Sequence, residues 1–181
     1  LTASTSPATT VSVTYDGSTM PPTQVGIYVV EATVLDDNYE GTASSSLIIL
    51  AKSVTSWAEE FGLSGVDAAP SADPDGDGLN NATEFAFGTD PAGNGSSKTF
   101  EILPVNAGTL GVTFLRRVSS AEASYQARVF TDLSNGFSGG TDLTPIRIVD
   151  QTGVPSGYER VKVQAPINGE RGFIQIKANV P

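Results

Sequence analysis

Asp73-Pro74-Asp75-Gly76-Asp77-Gly78-Leu79-Asn80-Asn81-Ala82-Thr83-Glu84 is the stretch on which the reading of this chain turns. Carboxylates stand at its first, third and fifth positions, glycine at the sixth and glutamate at the twelfth. A short loop brings that many oxygens onto one point only by turning sharply at its centre, and a glycine there allows the turn. A hard cation such as calcium takes about six to eight oxygen ligands. The expected set is the side chains of Asp73, Asp75 and Asp77, the backbone carbonyl of Leu79, and both carboxylate oxygens of Glu84. Asn81, at the ninth position, is expected to act through a water. Calcium is therefore the expected cofactor, with Asp67 and Asp90 as secondary candidates for the same ion or a neighbouring one.

The distribution of charge leads to the same ion by a separate route. The chain has 20 acidic and 10 basic residues, a net charge of -10. Eight of the acids (Glu59, Glu60, Asp67, Asp73, Asp75, Asp77, Glu84 and Asp90) fall between Ser53 and Ser97, where there is no lysine or arginine. Carboxylates crowded into one loop repel each other, and with no local base a divalent cation is the natural neutraliser. Without metal the loop is expected to be disordered.

Immediately outside the loop the apolar residues change to helical spacing. Val54, Trp57, Ala58 and Phe61 form one stripe, with Glu59 and Glu60 facing out and Gly62 as the stop, which predicts a short amphipathic helix. Trp57 could stack on a sugar, but a lone tryptophan on an apolar helix face reads first as core. After the loop, Asn81 to Phe87 predicts a second short helix with Ala82, Phe85 and Ala86 inward and Gly88 ending it. Helix, acidic loop, helix is the arrangement of an EF-hand-like site. The segment from Trp57-Ala58-Glu59-Glu60-Phe61-Gly62 through Asp73-Pro74-Asp75-Gly76-Asp77-Gly78 to Glu84-Phe85-Ala86-Phe87-Gly88-Thr89-Asp90-Pro91 resembles the calcium-binding linker near the C-termini of secreted proteins of environmental Gram-negative bacteria. Its Asp-Pro-Asp-Gly-Asp-Gly core is also similar to the acidic repeats of thrombospondin type 3. That resemblance implies Asp73, Asp75, Asp77 and Glu84 as side-chain ligands. Asn80 stands where an ordinary EF-hand has an aliphatic residue that pairs two hands, so a single unpaired site is expected, a structural clip rather than a sensor.

Further out on the N-terminal side the period is two. Val11, Val13 and Tyr15 alternate with Ser12 and Thr14 before an Asp16-Gly17 turn. Tyr28, Val30, Ala32 and Val34 share one face of a second run, and Ala43, Ser45, Leu47 and Ile49 mark a third. A lone sheet of this size buries little, so something else must cover its apolar face. The strings Tyr15-Asp16-Gly17, Val25-Gly26-Ile27-Tyr28-Val29-Val30-Glu31-Ala32, Asn38-Tyr39-Glu40-Gly41-Thr42-Ala43 and Leu47-Ile48-Ile49 resemble the MBG module over residues 11–50. Those are mostly-β, glycine-rich repeats arrayed on large bacterial surface and adhesin-like proteins. Such modules carry further strands before the Tyr-Asp-Gly string, so this one is expected to be truncated or completed from elsewhere. The first residue is leucine, not methionine, and a processed or excised piece of a longer chain is expected.

On the C-terminal side, residues 92–98 have the composition of a linker. Six apolar runs follow: Phe100 to Leu103, Leu110 to Leu115, Tyr125 to Thr131, Ile146 to Val149, Tyr158 to Val163 and Phe173 to Ala178. Asn106-Ala107-Gly108, Asn135-Gly136, Gly139-Gly140, Gly153, Pro155-Ser156-Gly157 and Asn168-Gly169 punctuate them, which predicts an antiparallel sandwich. The strings Tyr125-Gln126-Ala127-Arg128-Val129-Phe130 and Phe173-Ile174-Gln175-Ile176-Lys177 resemble the β-rich terminal module that commonly follows the calcium linker. Nine bases from Lys98 onward, against seven acids, read as a solvated surface or as a face that docks on the acidic segment or a neighbouring subunit.

Composition sets the outer limits. There is no cysteine and no histidine, which removes thiol nucleophiles, zinc sites built on those residues and any Ser-His-Asp arrangement. The clustered acids are expected to be committed to metal, which counts against glycosidase chemistry by paired carboxylates. No stretch reaches the length of a membrane span. A pI near 4.2 argues against nucleic acid or an anionic membrane as partner.

The expected fold is mainly β: two antiparallel β modules, Ig-like or sandwich, joined by a short helical EF-hand-like calcium-binding linker. The boundaries are 1–52 for the partial MBG-like module, 53–97 for the linker and 98–181 for the C-terminal sandwich. The expected function is non-catalytic: an extracellular structural or adhesive module of a bacterial surface or secreted protein, with calcium rigidifying the linker between modules. Two alternatives remain open. One is a subunit of an extracellular filament assembled by strand complementation, and the other is the carbohydrate-binding end of a secreted polysaccharide-degrading enzyme, with Tyr125, Phe137 and Tyr158 as stacking faces. Partners beyond calcium are then neighbouring copies, other surface modules or glycans.

Overall fold

The computed structural model describes residues 4–93, 100–103, 108–134, 136–166 and 172–181. The chain divides into two compact units, Leu1–Ala51 and Lys52–Pro181. The linker composition at residues 94–98, the turn residues Asn106, Ala107, Asn135, Asn168 and Gly169, and the bases Lys98 and Arg171 lie outside the described residues.

The first unit is a three-stranded antiparallel sheet of β1 (Thr10–Tyr15), β2 (Gly26–Leu35) and β3 (Thr42–Ile49), in that order. The alternation read from the sequence sets its register. Val30 lies opposite Tyr15 on one side and Ser45 on the other, and Ala32 opposite Val13 and Ala43. Tyr28, Val30, Ala32 and Val34 therefore share a face with Val11, Val13 and Tyr15. Asp16 turns the chain after β1 and accepts a hydrogen bond from the Val29 N–H at 2.8 Å. Only Val30 is buried among the described residues of this unit. A groove of about 530 Å³ runs along the same face, lined by Val11, Val30, Ala32, Val34, Ala43 and Thr5 among others.

The second unit begins with α1 (Val54–Glu59), capped by a reciprocal pair in which the Ser53 hydroxyl accepts from the Ser56 N–H and the Ser56 hydroxyl from the Ser53 N–H. A single 3-10 turn (Gly65–Ala68), the acidic loop and α2 (Asn81–Phe87) follow. Among the described residues, seven strands then form two antiparallel sheets. β4 (Phe100–Ile102), β5 (Thr109–Arg117), β9 (Tyr158–Pro166) and β8 (Ile146–Arg147) lie side by side in the first. In the second, β6 (Ser124–Phe130) runs between β10 (Phe173–Asn179) and β7 (Thr141–Leu143). The three-residue β7 was not expected, because Thr141-Asp142-Leu143 is too short to show a period. The run Ile146 to Val149 pairs over only two residues, and Val149 is 98% exposed.

Two apolar cores organise this unit. Val112, Phe114, Val161 and Val163 of one sheet meet Ala127 of the other, flanked by Leu143, Ile174 and Ile176. Val54, Trp57, Ala58, Ala68 and Phe85 form the second core around the helices. Trp57 is 4% exposed and meets Phe85 edge-on at 5.5 Å, so it is a core residue. The helix–loop–helix thus shares a unit with the C-terminal sheets, and α2 contributes Phe85 to one core and Ala86 and Phe87 to the other.

Candidate functional site

The acidic loop is held in shape by its own aspartates. Asp73 accepts hydrogen bonds from the Gly76 N–H at 3.0 Å through one carboxylate oxygen and from the Gly78 N–H at 3.1 Å through the other. Asp75 accepts from the Asp77 N–H at 3.1 Å, and Asp77 from the Leu79 N–H at 2.7 Å. Each bond turns the backbone around the carboxylate two to five residues earlier, the local habit of aspartate in turns. Gly78, at φ +92°, occupies backbone space that a side chain would resist. The outcome is a cluster in which one carboxylate oxygen each from Asp73, Asp75 and Asp77 lie within 4.8 Å of one another. Leu79 follows directly and is half-buried.

Glu84 stands on the first half of α2 and is fully buried. The Thr89 hydroxyl donates to its Oε1 at 3.2 Å, while its Oε2 is buried with no hydrogen-bond partner. Burial pushes its pKa up to about 7; the Thr89 hydrogen bond works the other way, and the charges of Asp75, Asp77 and Asp73 add to the rise. An unpartnered carboxylate oxygen in the interior is costly. Glu84 is not one of the three carboxylates grouped within 4.8 Å, but its charge adds to theirs, and a cation in the loop would relieve the repulsion among the four acids, as a divalent metal does.

The other expected ligands are placed differently. Asn81 is fully buried, and its amide nitrogen donates to the carbonyls of Asp67 and Ala69, each at 2.8 Å. It ties the 3-10 turn to the start of α2, while its Oδ1 is buried without a partner. Asn80 is the N-cap of α2, its side-chain oxygen accepting from the Thr83 N–H at 2.9 Å. That gives the asparagine at loop position eight a local reason. Asp67 and Asp90 are exposed and are not among the three clustered carboxylates, and Asp90 accepts instead from the Ala92 N–H at 3.0 Å.

Sequence reasoning missed the group that holds α2 from the other end. Arg117, at the end of β5, is 6% exposed rather than solvated, and its guanidinium lies 4.4 Å from the Phe85 ring centre and 4.5 Å from that of Tyr158. Its charge is met by Glu122, to which Nε donates at 2.6 Å. The Tyr158 hydroxyl donates to the Phe85 carbonyl at 2.8 Å and that of Tyr125 to the Ala86 carbonyl at 2.5 Å. Burial raises the pKa of both phenols, that of Tyr125 to about 12. Both hydroxyls are thus turned onto α2. No sequence signal separated Arg117 from its half-buried neighbour Arg116, which pairs with Glu159 at 2.8 Å; only the fold shows which of the two lies against Phe85.

Among the described residues no helix is long and apolar enough to cross a membrane. No curated protein and no solved structure matches the chain. A family model described as the MBG domain matches residues 1–53, in agreement with the resemblance read over residues 11–50.

Proposed function

We propose that this chain is a non-catalytic structural module of a bacterial surface or secreted protein, and that its acidic loop holds a calcium ion. The observation that carries the metal reading is Glu84, fully buried with an unpartnered carboxylate oxygen and electrostatically coupled to the aspartate cluster. In this reading Asp73, Asp75, Asp77 and Glu84 supply side-chain oxygens, Leu79 its carbonyl and Asn81 a water-mediated contact. The surface role is supported by the MBG match at residues 1–53, because modules of that family are borne by bacterial surface proteins. Calcium then acts as a clip that fixes the helix–loop–helix. At free calcium a hundredfold above the dissociation constant, binding adds about 2.7 kcal/mol to the folded state. Thermal melting in calcium and in chelator tests this: the melting temperature rises with calcium, and an unchanged value overturns the clip.

A second reading is favoured by one observation. Among the described residues the first sheet has two unpaired edges, β1 and β3, beside a groove lined by both apolar and hydroxyl side chains, a geometry that could accept a strand from a neighbouring chain in a filament. Light scattering across concentration separates the two, since strand exchange gives growing particles and a strict monomer overturns it.

A further inference from the structure

We infer that the candidate calcium loop and the C-terminal sheets fold and loosen as one cooperative body, with α2 as the shared part and Arg117, Tyr125 and Tyr158 as the clasp that transmits the ion's effect to β5 and β9. The inference rests on the calcium reading above and goes beyond a clip between modules, because it places the effect of the ion inside the C-terminal unit.

Four successive residues of α2 carry it. Glu84, Phe85, Ala86 and Phe87 are each no more than 7% exposed. Residues along a helix are rotated by about 100° from one to the next, so four in a row point round the whole circumference. Glu84 feels the aspartates, Phe85 enters the core around Trp57, and Ala86 and Phe87 enter the core between the sheets. Phe87 lies 5.1 Å from Phe100 and 5.9 Å from Tyr125, ring centre to ring centre. A helix whose last four residues are buried all round is hindered from shifting towards an ion without shifting against the sheets.

The ends of α2 make the dependence mutual. Seven residues are far below the length at which a helix is stable alone. Its first turn is held from the loop side by the Asn80 cap and the Asn81 amide. At its far end the carbonyls of Phe85 and Ala86 accept from Tyr158 and Tyr125, residues of β9 and β6. The Tyr125 oxygen also accepts from the Arg117 N–H at 2.9 Å, and Arg117 lies between the Phe85 and Tyr158 rings. Anything that orders one end of so short a helix favours the bonds at the other, and by linkage the effect runs both ways.

Hydrogen exchange of the full chain, with calcium and with chelator, tests this beside a direct count of bound calcium. The expected result is that calcium slows exchange in β5 and β9 as well as in residues 65–88. In a Tyr125→Phe/Tyr158→Phe variant, which keeps both rings and removes only the hydroxyls, calcium affinity falls by about fivefold or more, the low end of usual coupling. Stoichiometric calcium with protection confined to residues 65–88, or a variant with unchanged affinity, overturns the coupling and leaves the metal reading standing. No bound calcium overturns the metal reading and this inference with it.

Discussion

On the calcium proposal, Glu84 contributes with opposite sign depending on whether a cation is present. Alone, its carboxylate is buried and its pKa is pushed up to about 7; in the proposed calcium-bound state it would be the ligand that closes the set. Glu84→Gln keeps the volume and removes the charge, so in chelator the variant should melt higher than the parent, while its calcium affinity falls at least about tenfold, or about 1.4 kcal/mol. Melting curves and calcium titration of both proteins check it, and a variant that melts lower in chelator would show that the buried charge is satisfied in some other way. Tyr125 gives a test that involves no metal. Its folded pKa of about 12 lies above the ordinary tyrosine value of 10.0, so the folded state retains the proton longer. The stability it contributes is complete below about pH 10 and is lost as pH rises towards about 12. Denaturant unfolding at pH 8 to 11 should show a decline that Tyr125→Phe makes shallower, with Tyr158, also raised, keeping its share. The clustering of Asp73, Asp75 and Asp77 was legible in the sequence, because alternate carboxylates in a tight glycine-containing turn are brought together. Tyr125 and Arg117 were not, because their partners on α2 lie 39 residues away from Tyr125 in the chain and no local pattern encodes them.

At the scale of elements, the features that punctuate the chain locally were the readable ones. The second helix was expected over Asn81 to Phe87 and forms over Asn81–Phe87, since an asparagine cap and a glycine terminator bound it in the sequence itself. The strands with clear alternation are likewise present, whereas β7 and the 3-10 turn, which have neither length nor period, were missed. Gly88 has a role that composition could not show. It sits at φ +71°, and a Cβ there would lie 3.1 Å from the Tyr158 ring and 3.3 Å from the Leu115 side chain. Gly153 has nearly the same backbone, φ +72°, with nothing within 4 Å. Gly153→Ala should therefore cost only the left-handed backbone term, about 1–2 kcal/mol, and Gly88→Ala distinctly more, because the ring that caps α2 must move. Urea unfolding of the two variants reads the difference directly. Equal losses would mean that Tyr158 yields to the methyl group without loosening its bond to Phe85.

The whole molecule is two units of unequal substance. In the first, Val30 is the only buried residue among those described, and a three-stranded sheet with so small a core is marginal by itself. The second holds both clustered cores and the candidate cation site. The sequence reading grouped the chain as module, linker, module, because charge and composition change abruptly at both ends of the acidic stretch. Spatial grouping follows packing instead, and Phe85, Ala86 and Phe87 carry the helix into cores that include the later strands. If the ion acts where those cores are, its effect should be confined to one unit. Calorimetry of the full chain should then show two transitions, of which calcium moves only that of residues 52–181, by the equivalent of about 2.7 kcal/mol at a hundredfold excess over the dissociation constant. The chain's single tryptophan, Trp57, identifies that transition, because it lies in the helix core and its fluorescence follows no other unit. Calcium shifting both transitions equally would mean that the ion's stabilisation reaches residues 1–51 as well. Calcium shifting the transition that Trp57 does not report would place the bound ion away from the loop, and the four acids of residues 73–84 would then need another explanation.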